Sequence, residues 1–167
     1  MKPNFYIFLD IDGVMFDWEY IKSCERSREI LKLHIFNPKS VEALNYLMKE
    51  MGKQYNVNLV ISSTWRLFMK ETEEVFKKNN ICYPNKLTCT PHFYDPHERG
   101  GEIMQYLKNV NFNKNKDDYL IIDDETFDFD KYFPKSKFIK TNIFNASLSM
   151  EMVQKYLSQK NNTYQKQ

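Results

Sequence analysis

Four short runs of this chain carry residues that could do chemistry together. Asp10-Ile11-Asp12-Gly13 sets two carboxyl groups one residue apart beside a glycine. Ser62-Ser63-Thr64-Trp65-Arg66 offers hydroxyls and a guanidinium, Arg99 offers a second guanidinium, and Asp123-Asp124-Glu125 is a second acidic run. Several carboxylates brought together repel and cannot all ionise cheaply. A hard divalent cation relieves that repulsion, and an all-oxygen donor set favours Mg²⁺ over zinc. Magnesium also shares its shell with substrate phosphate. In that setting a carboxylate can act as nucleophile and form an acyl phosphate. A second carboxyl two residues on can protonate the leaving alkoxide and then deprotonate the attacking water. The Ser62 hydroxyl, backbone N–H groups and Arg99 can hold phosphoryl oxygens as charge spreads over them. Gly13 permits the sharp turn that brings both aspartates to one metal.

These runs can cooperate only if the fold brings them to one place. Phe5–Leu9 is short and nearly all apolar, as a buried central strand should be. Asn58–Ile61, Tyr119–Ile122 and Lys137–Lys140 read as further strands, with Lys86–Thr90 a weaker one. Helical patterns lie between them. Asn37-Pro38 is a cap residue followed by a ring fixed at helical φ; Val41, Leu44, Leu47, Met48 and Met51 recur at helical spacing, and Gly52 offers a stop. Phe68, Val75 and Phe76 predict one face of a second helix, Ile103, Leu107 and Val110 a third, and Met150, Val153 and Leu157 a closing one. Strands alternating with helices predict an α/β three-layer sandwich around a mainly parallel five-stranded sheet. In such sheets the site lies beyond the carboxyl ends of the strands, where strand order reverses. Asp10, Ser62 and Asp123 each stand at such an end, and Arg99 precedes the helix leading into the fourth strand.

Phe8-Leu9-Asp10-Ile11-Asp12-Gly13-Val14 resembles motif I of the haloacid dehalogenase (HAD) superfamily of phosphohydrolases, and Ser62, Arg99 and Asp123-Asp124 match its motifs II, III and IV in order. The resemblance spans about residues 5–157. Within the superfamily, Ile61–Arg66, Arg99–Ile103 and Leu120–Asp124 resemble the small HAD domain of Swiss-army-knife RNA-repair proteins. The resemblance implies a Rossmannoid fold and Mg²⁺-dependent hydrolysis of a phosphomonoester through an aspartyl phosphate. It implies Asp10 as nucleophile and metal ligand. Asp12 becomes the general acid/base, with its backbone carbonyl on the metal. Ser62 binds phosphate, with Ser63, Arg66 and Arg99 beside it. Asp123 completes the metal site, and Asp124 acts through a water. Motif III is usually lysine; Arg99 keeps the charge but grips phosphate as a fork.

Each residue also has a plainer reading. Asp10 and Asp12 could be solvated or capping loop residues. Ser62 could cap the next helix, although Ser63 or Thr64 suits that role better. Trp65 and Arg66 could be packing and a surface charge, and Arg99 a loop arginine beside Glu98 and Glu102. Glu125 and Asp128 could support the metal ligands or simply be solvated. His92, Asp95 and His97 read as loop residues, since magnesium does not seek imidazole.

The whole chain reads as one domain, residues 1–159, with a small insertion at 13–37 and a tail at 160–167 that lacks any apolar pattern and is expected to be frayed and disordered. A length of 167 residues allows about 70% of the unfolded surface to be buried, so no staples are needed. Three cysteines without a C-x-x-C pair point to free thiols in a reducing, cytoplasmic setting, and no apolar run is long enough for a membrane span. A net charge of +2 excludes a strongly basic coat but not a local patch. The insertion is too short for a full cap domain, so the site should be open. Open sites suit large phosphorylated partners, a nucleic-acid end or nucleotide first among them, with phosphoproteins and small metabolites as alternatives, and a non-catalytic binding module as the remaining one. Lys22, Arg26, Arg28, Trp18 and Tyr20 could serve a nucleic acid, but Asp17, Glu19, Glu25 and Glu29 make a solvated amphipathic helix the preferred reading.

Overall fold

The computed structural model describes residues 2–24, 36–93 and 98–164. Glu25, Arg26, Arg28, Glu29, Asp95 and His97 lie outside the described residues. Five parallel strands form the sheet: β1 (Asn4–Leu9), β2 (Asn56–Ile61), β3 (Thr88–Cys89), β4 (Asp118–Asp123) and β5 (Phe138–Lys140). Their order is β3-β2-β1-β4-β5, so the chain winds outward one way to β3 and the other way to β5. The reversal falls between β1 and β4.

Successive strand residues point to opposite faces, and β1 shows what that does. Phe5, Ile7 and Leu9 enter one core, while Tyr6 and Phe8 enter the other. The larger core is closed by α2 (Pro38–Gly52), α3 (Met69–Lys78) and α5 (Met150–Tyr164) through residues such as Leu44, Phe76 and Val153. The smaller core is closed by α4 (Arg99–Asn109) through Ile103 and Leu107, with Phe129 and Phe133 beside it. This is the three-layer α/β sandwich the alternation predicts. The insertion carries α1 (Trp18–Cys24), which has no fully buried residue. Asp17 anchors it, accepting from Tyr20 N at 2.8 Å and Ser147 N at 2.9 Å. No helix among the described residues is long and apolar enough to cross a membrane.

Local signals explain the α2 boundary. Asn37 Oδ1 accepts from Lys39 N at 3.0 Å, and Pro38 opens the helix. Gly52 falls inside the helix rather than after it, and Lys53 is the C-cap. Two expectations need correction. Phe68 does not face the core: it ends a 3₁₀ turn (Thr64–Phe68) and is 64% exposed. Three residues per turn carry it off the face that Thr72, Val75 and Phe76 bury in α3. Nor does the chain fray at Lys160, because α5 continues to Tyr164. The Lys160 ammonium pairs with Asp118 and lies over the Phe5 and Tyr55 rings at 5.2 and 5.1 Å. A charge pair, not an apolar pattern, carries that last segment. Residues 165–167 lie outside the described residues.

Candidate active site

The ladder sets the site. Leu9 stands opposite Ile61 and Ile122, and the backbone bonds run one step beyond the strands. Ser62 N donates to Leu9 O and Asp10 N to Ile122 O, both at 3.0 Å. Asp10, Ser62 and Asp123 are therefore neighbours at the carboxyl edge of the sheet, where the strand order reverses. Carboxylate oxygens of Asp10, Asp123 and Asp124 all lie within 4.8 Å of one another. The distant acidic runs converge.

Arg99 enters this cluster from the first turn of α4. Its Nη1 lies 2.8 Å from Asp123 Oδ2 and 3.2 Å from Asp10 Oδ1. Burial works against its charge, but Asp123 and Asp10 more than reverse that and hold its pKa above the ordinary value. The guanidinium also stacks 4.3 Å from the centre of the Phe127 ring. Phe127 takes a left-handed backbone (φ 38°), uncommon for a bulky residue, to place that ring. The reading of Arg99 as a solvated loop arginine fails on this geometry.

One guanidinium does not balance three carboxylates. Two ionised carboxylates 4.8 Å apart repel by roughly 3 kcal/mol at an effective dielectric of about 20. Burial, then the charge of Asp10, pushes the Asp123 carboxyl well above its usual range. Burial, Asp10 and Glu125 together push Asp124 up to about 6. Gly13 makes this crowding possible in a way its spacing did not announce. Its φ is +75°, and a Cβ there would sit 2.6 Å from the Asp124 Cγ. The glycine is a turn residue and also the space that Asp124 fills.

Among the described residues the donor set fits a hard divalent cation: three carboxylates, with no imidazole and no thiolate. The Asp12 carboxylate is not part of this trio. Its Oδ2 accepts from the Trp65 indole N–H at 3.1 Å. Ser62 Oγ is buried and has no hydrogen-bond partner among the described residues, so a polar site stands ready for a further acceptor or donor. Ser63 takes the capping role, its Oγ accepting from Trp65 N at 3.4 Å.

Arg66 is neither on the surface nor among the carboxylates of the site. Its side chain is 6% exposed and meets Glu102 Oε1 at 2.7 Å. Its Nη1 donates to Ser62 O at 3.1 Å, and its Nη2 lies 2.9 Å from His92 Nδ1. Glu102 also accepts from Phe93 N at 2.7 Å. The pair thus ties α4, one turn after Arg99, to the loop presenting Ser62. Sequence reading missed Glu102 and Phe127 as parts of the site, and it offered Asp128 as a support for the metal ligands, whereas that side chain holds the start of α4. The signal was Gly100-Gly101: a Cβ on Gly100 would lie 2.8 Å from Asp128 Oδ1, which accepts from Gly100 N at 2.6 Å. Glycine there lets Asp128 hold the start of α4.

A parallel sheet that reverses beside β1, with an aspartate just past that strand and two more at the end of β4, defines a HAD-like Rossmannoid domain. A family model described as the HAD domain in Swiss Army Knife RNA repair proteins matches residues 6–153, and the chain belongs to that family. No curated protein and no solved structure matches it.

Proposed function

We propose that this domain is a Mg²⁺-dependent phosphatase that hydrolyses a phosphomonoester through an aspartyl phosphate on Asp10. The observation that carries this reading is the convergence of Asp10, Asp123 and Asp124 beside Arg99 and a Ser62 hydroxyl with no partner among the described residues. Mg²⁺ held by these three carboxylates and the Asp12 carbonyl would offset their repulsion and draw charge from the phosphoryl oxygens.

In the proposed first step an Asp10 oxygen attacks phosphorus and the bond from phosphorus to the leaving oxygen breaks. Asp12 gives its proton to that oxygen, so an alcohol departs. The Trp65 N–H fixes the Asp12 side chain by holding Oδ2. In the second step Asp12 takes a proton from water as the water oxygen attacks phosphorus. Inorganic phosphate leaves and the Asp10 carboxylate is restored. Ser62 Oγ–H and Arg99 stabilise the phosphoryl oxygens, Arg99 shifting part of its grip from Asp10 and Asp123 to the substrate.

The family description supports a phosphorylated nucleic-acid end or nucleotide as substrate. The decisive measurement is release of inorganic phosphate from a panel of phosphomonoesters, with magnesium and with a chelator. Turnover requires the metal and falls by at least roughly 10³-fold in Asp10→Asn. Magnesium-independent turnover, or none on any ester, overturns the proposal.

A further inference from the structure

Phe68 and Leu67 are large, apolar and 64% and 56% exposed, on the turn that directly follows Ser62-Ser63. Nothing in the core explains them. They line a cavity of about 550 Å³ with Phe16, Trp65, Glu71 and Asp12, within the range of small-molecule sites. Asp12 connects the cavity to the chemistry. On the phosphatase reading, which this inference rests on, Asp12 protonates the leaving oxygen, so the leaving group must lie on the Asp12 side of phosphorus. The cavity begins there.

Its lining is chemically selective. Three aromatic rings, a leucine and a valine supply apolar surface, and two carboxylates supply acceptors beside two threonines, while among the described residues no lysine or arginine takes part. A leaving group with a second phosphate would meet Glu71 and Asp12 without a compensating cation. A polyol would leave the rings uncovered. A flat heterocycle with N–H groups satisfies both, stacking on the aromatic wall and donating to Glu71. A phenol ring would stack but has no N–H to offer. We infer that the cavity beside Asp12 is a nucleoside subsite, which takes the base of a nucleotide whose phosphate sits at Asp10.

The test measures kcat/KM for adenosine monophosphate, glycerol phosphate and a phosphotyrosine peptide, for the natural chain and for Phe68→Ala. Phe68 is exposed, so its truncation leaves the core intact. The nucleotide is the best of the three, and Phe68→Ala cuts its advantage over glycerol phosphate by about tenfold, the size of one lost stacking contact. Adenosine without phosphate inhibits competitively and quenches tryptophan fluorescence, and Phe68→Ala weakens both. An oligonucleotide with a terminal phosphate, run alongside, separates a strand end from a free nucleotide; either preference fits the subsite. Preference for the peptide or for glycerol phosphate, or a nucleotide advantage unmoved by Phe68→Ala, overturns the inference while leaving the phosphatase intact. If no ester turns over at all, the phosphatase reading fails, and adenosine quenching decides the subsite by itself.

Discussion

Strand β4 begins and ends with a buried aspartate, and the two are treated in opposite ways. At the amino end, Asp118 is clasped by Lys137 and Lys160. Burial pushes its carboxyl up, but hydrogen bonds from both lysines more than reverse that, and its pKa falls below the ordinary value. At the carboxyl end, Asp123 faces Asp10 and shares one guanidinium with it. Burial and the Asp10 charge together push Asp123 well up. The same residue type on the same strand is thus neutralised in one place and left in excess negative charge in the other. The first arrangement serves the fold. The second is an unmet electrostatic demand, which is what a binding site for a cation and a phosphoryl group requires.

The largest effect that separates the ends is on activity. Asp10→Asn removes the nucleophile and one repelling charge, so turnover falls by roughly 10³-fold or more while the metal-free melting temperature does not fall. A clear drop in that temperature would show that the carboxylates stabilise the fold and would erase the contrast. Next comes the balanced pair at the catalytic edge. Glu102→Ala leaves Arg66 buried and unpaired, a loss of about 3 kcal/mol, and loosens the Ser62 loop. Chemical denaturation reads the first effect and KM the second. Asp118→Asn costs less, about 2 kcal/mol, because Lys137 is 28% exposed and can turn to water. That corresponds to roughly 4–8 °C in melting temperature. Phosphatase activity at a temperature where both proteins are folded should match the natural chain.

How much of this was legible in the sequence follows from the range of the interactions. The strands and the helices over the larger core were legible because apolar spacing is a local signal, and β1 is nearly all apolar. The residues that converge at the site were legible because strand ends are, and a parallel sheet aligns strand ends. What the side chains do there was less accessible. Arg66 looked like a surface or phosphate-facing group because its partner, Glu102, is distant in the chain. Phe68 looked like core because a 3₁₀ turn and an α-helix share their local pattern. Lys160 looked like tail because what holds it is Asp118 and two rings rather than neighbouring apolar residues. Gly13 was read for its backbone freedom, while its second role depends on Asp124, which only the fold brings near.

The smallest expected effect is the most direct comparison of the two ends, because their carboxyls bend the pH dependence of stability in opposite directions. Asp118 is depressed below its ordinary value of 3.8 in the folded chain. Its contribution is fully present above that value and is lost as pH falls through the folded pKa, since the unfolded chain then binds the proton more readily. Asp124, beside Asp123, is raised from 3.8 to about 6. Between those values the folded chain holds the extra proton, so stability declines as pH rises across that window. Metal-free protein should therefore gain stability as pH rises towards 3.8 and lose some between there and about 6. Asp118→Asn should remove only the acid limb, and Asp124→Asn should make the decline shallower, the rest belonging to Asp123, which burial and Asp10 also raise. Saturating magnesium should abolish the decline too, because a bound cation favours the ionised carboxylates. Thermal melts across this range read all three curves. A decline that survives in both Asp124→Asn and the magnesium-bound protein would show that its source lies elsewhere, and that the carboxyl end of β4 is no more strained than the amino end.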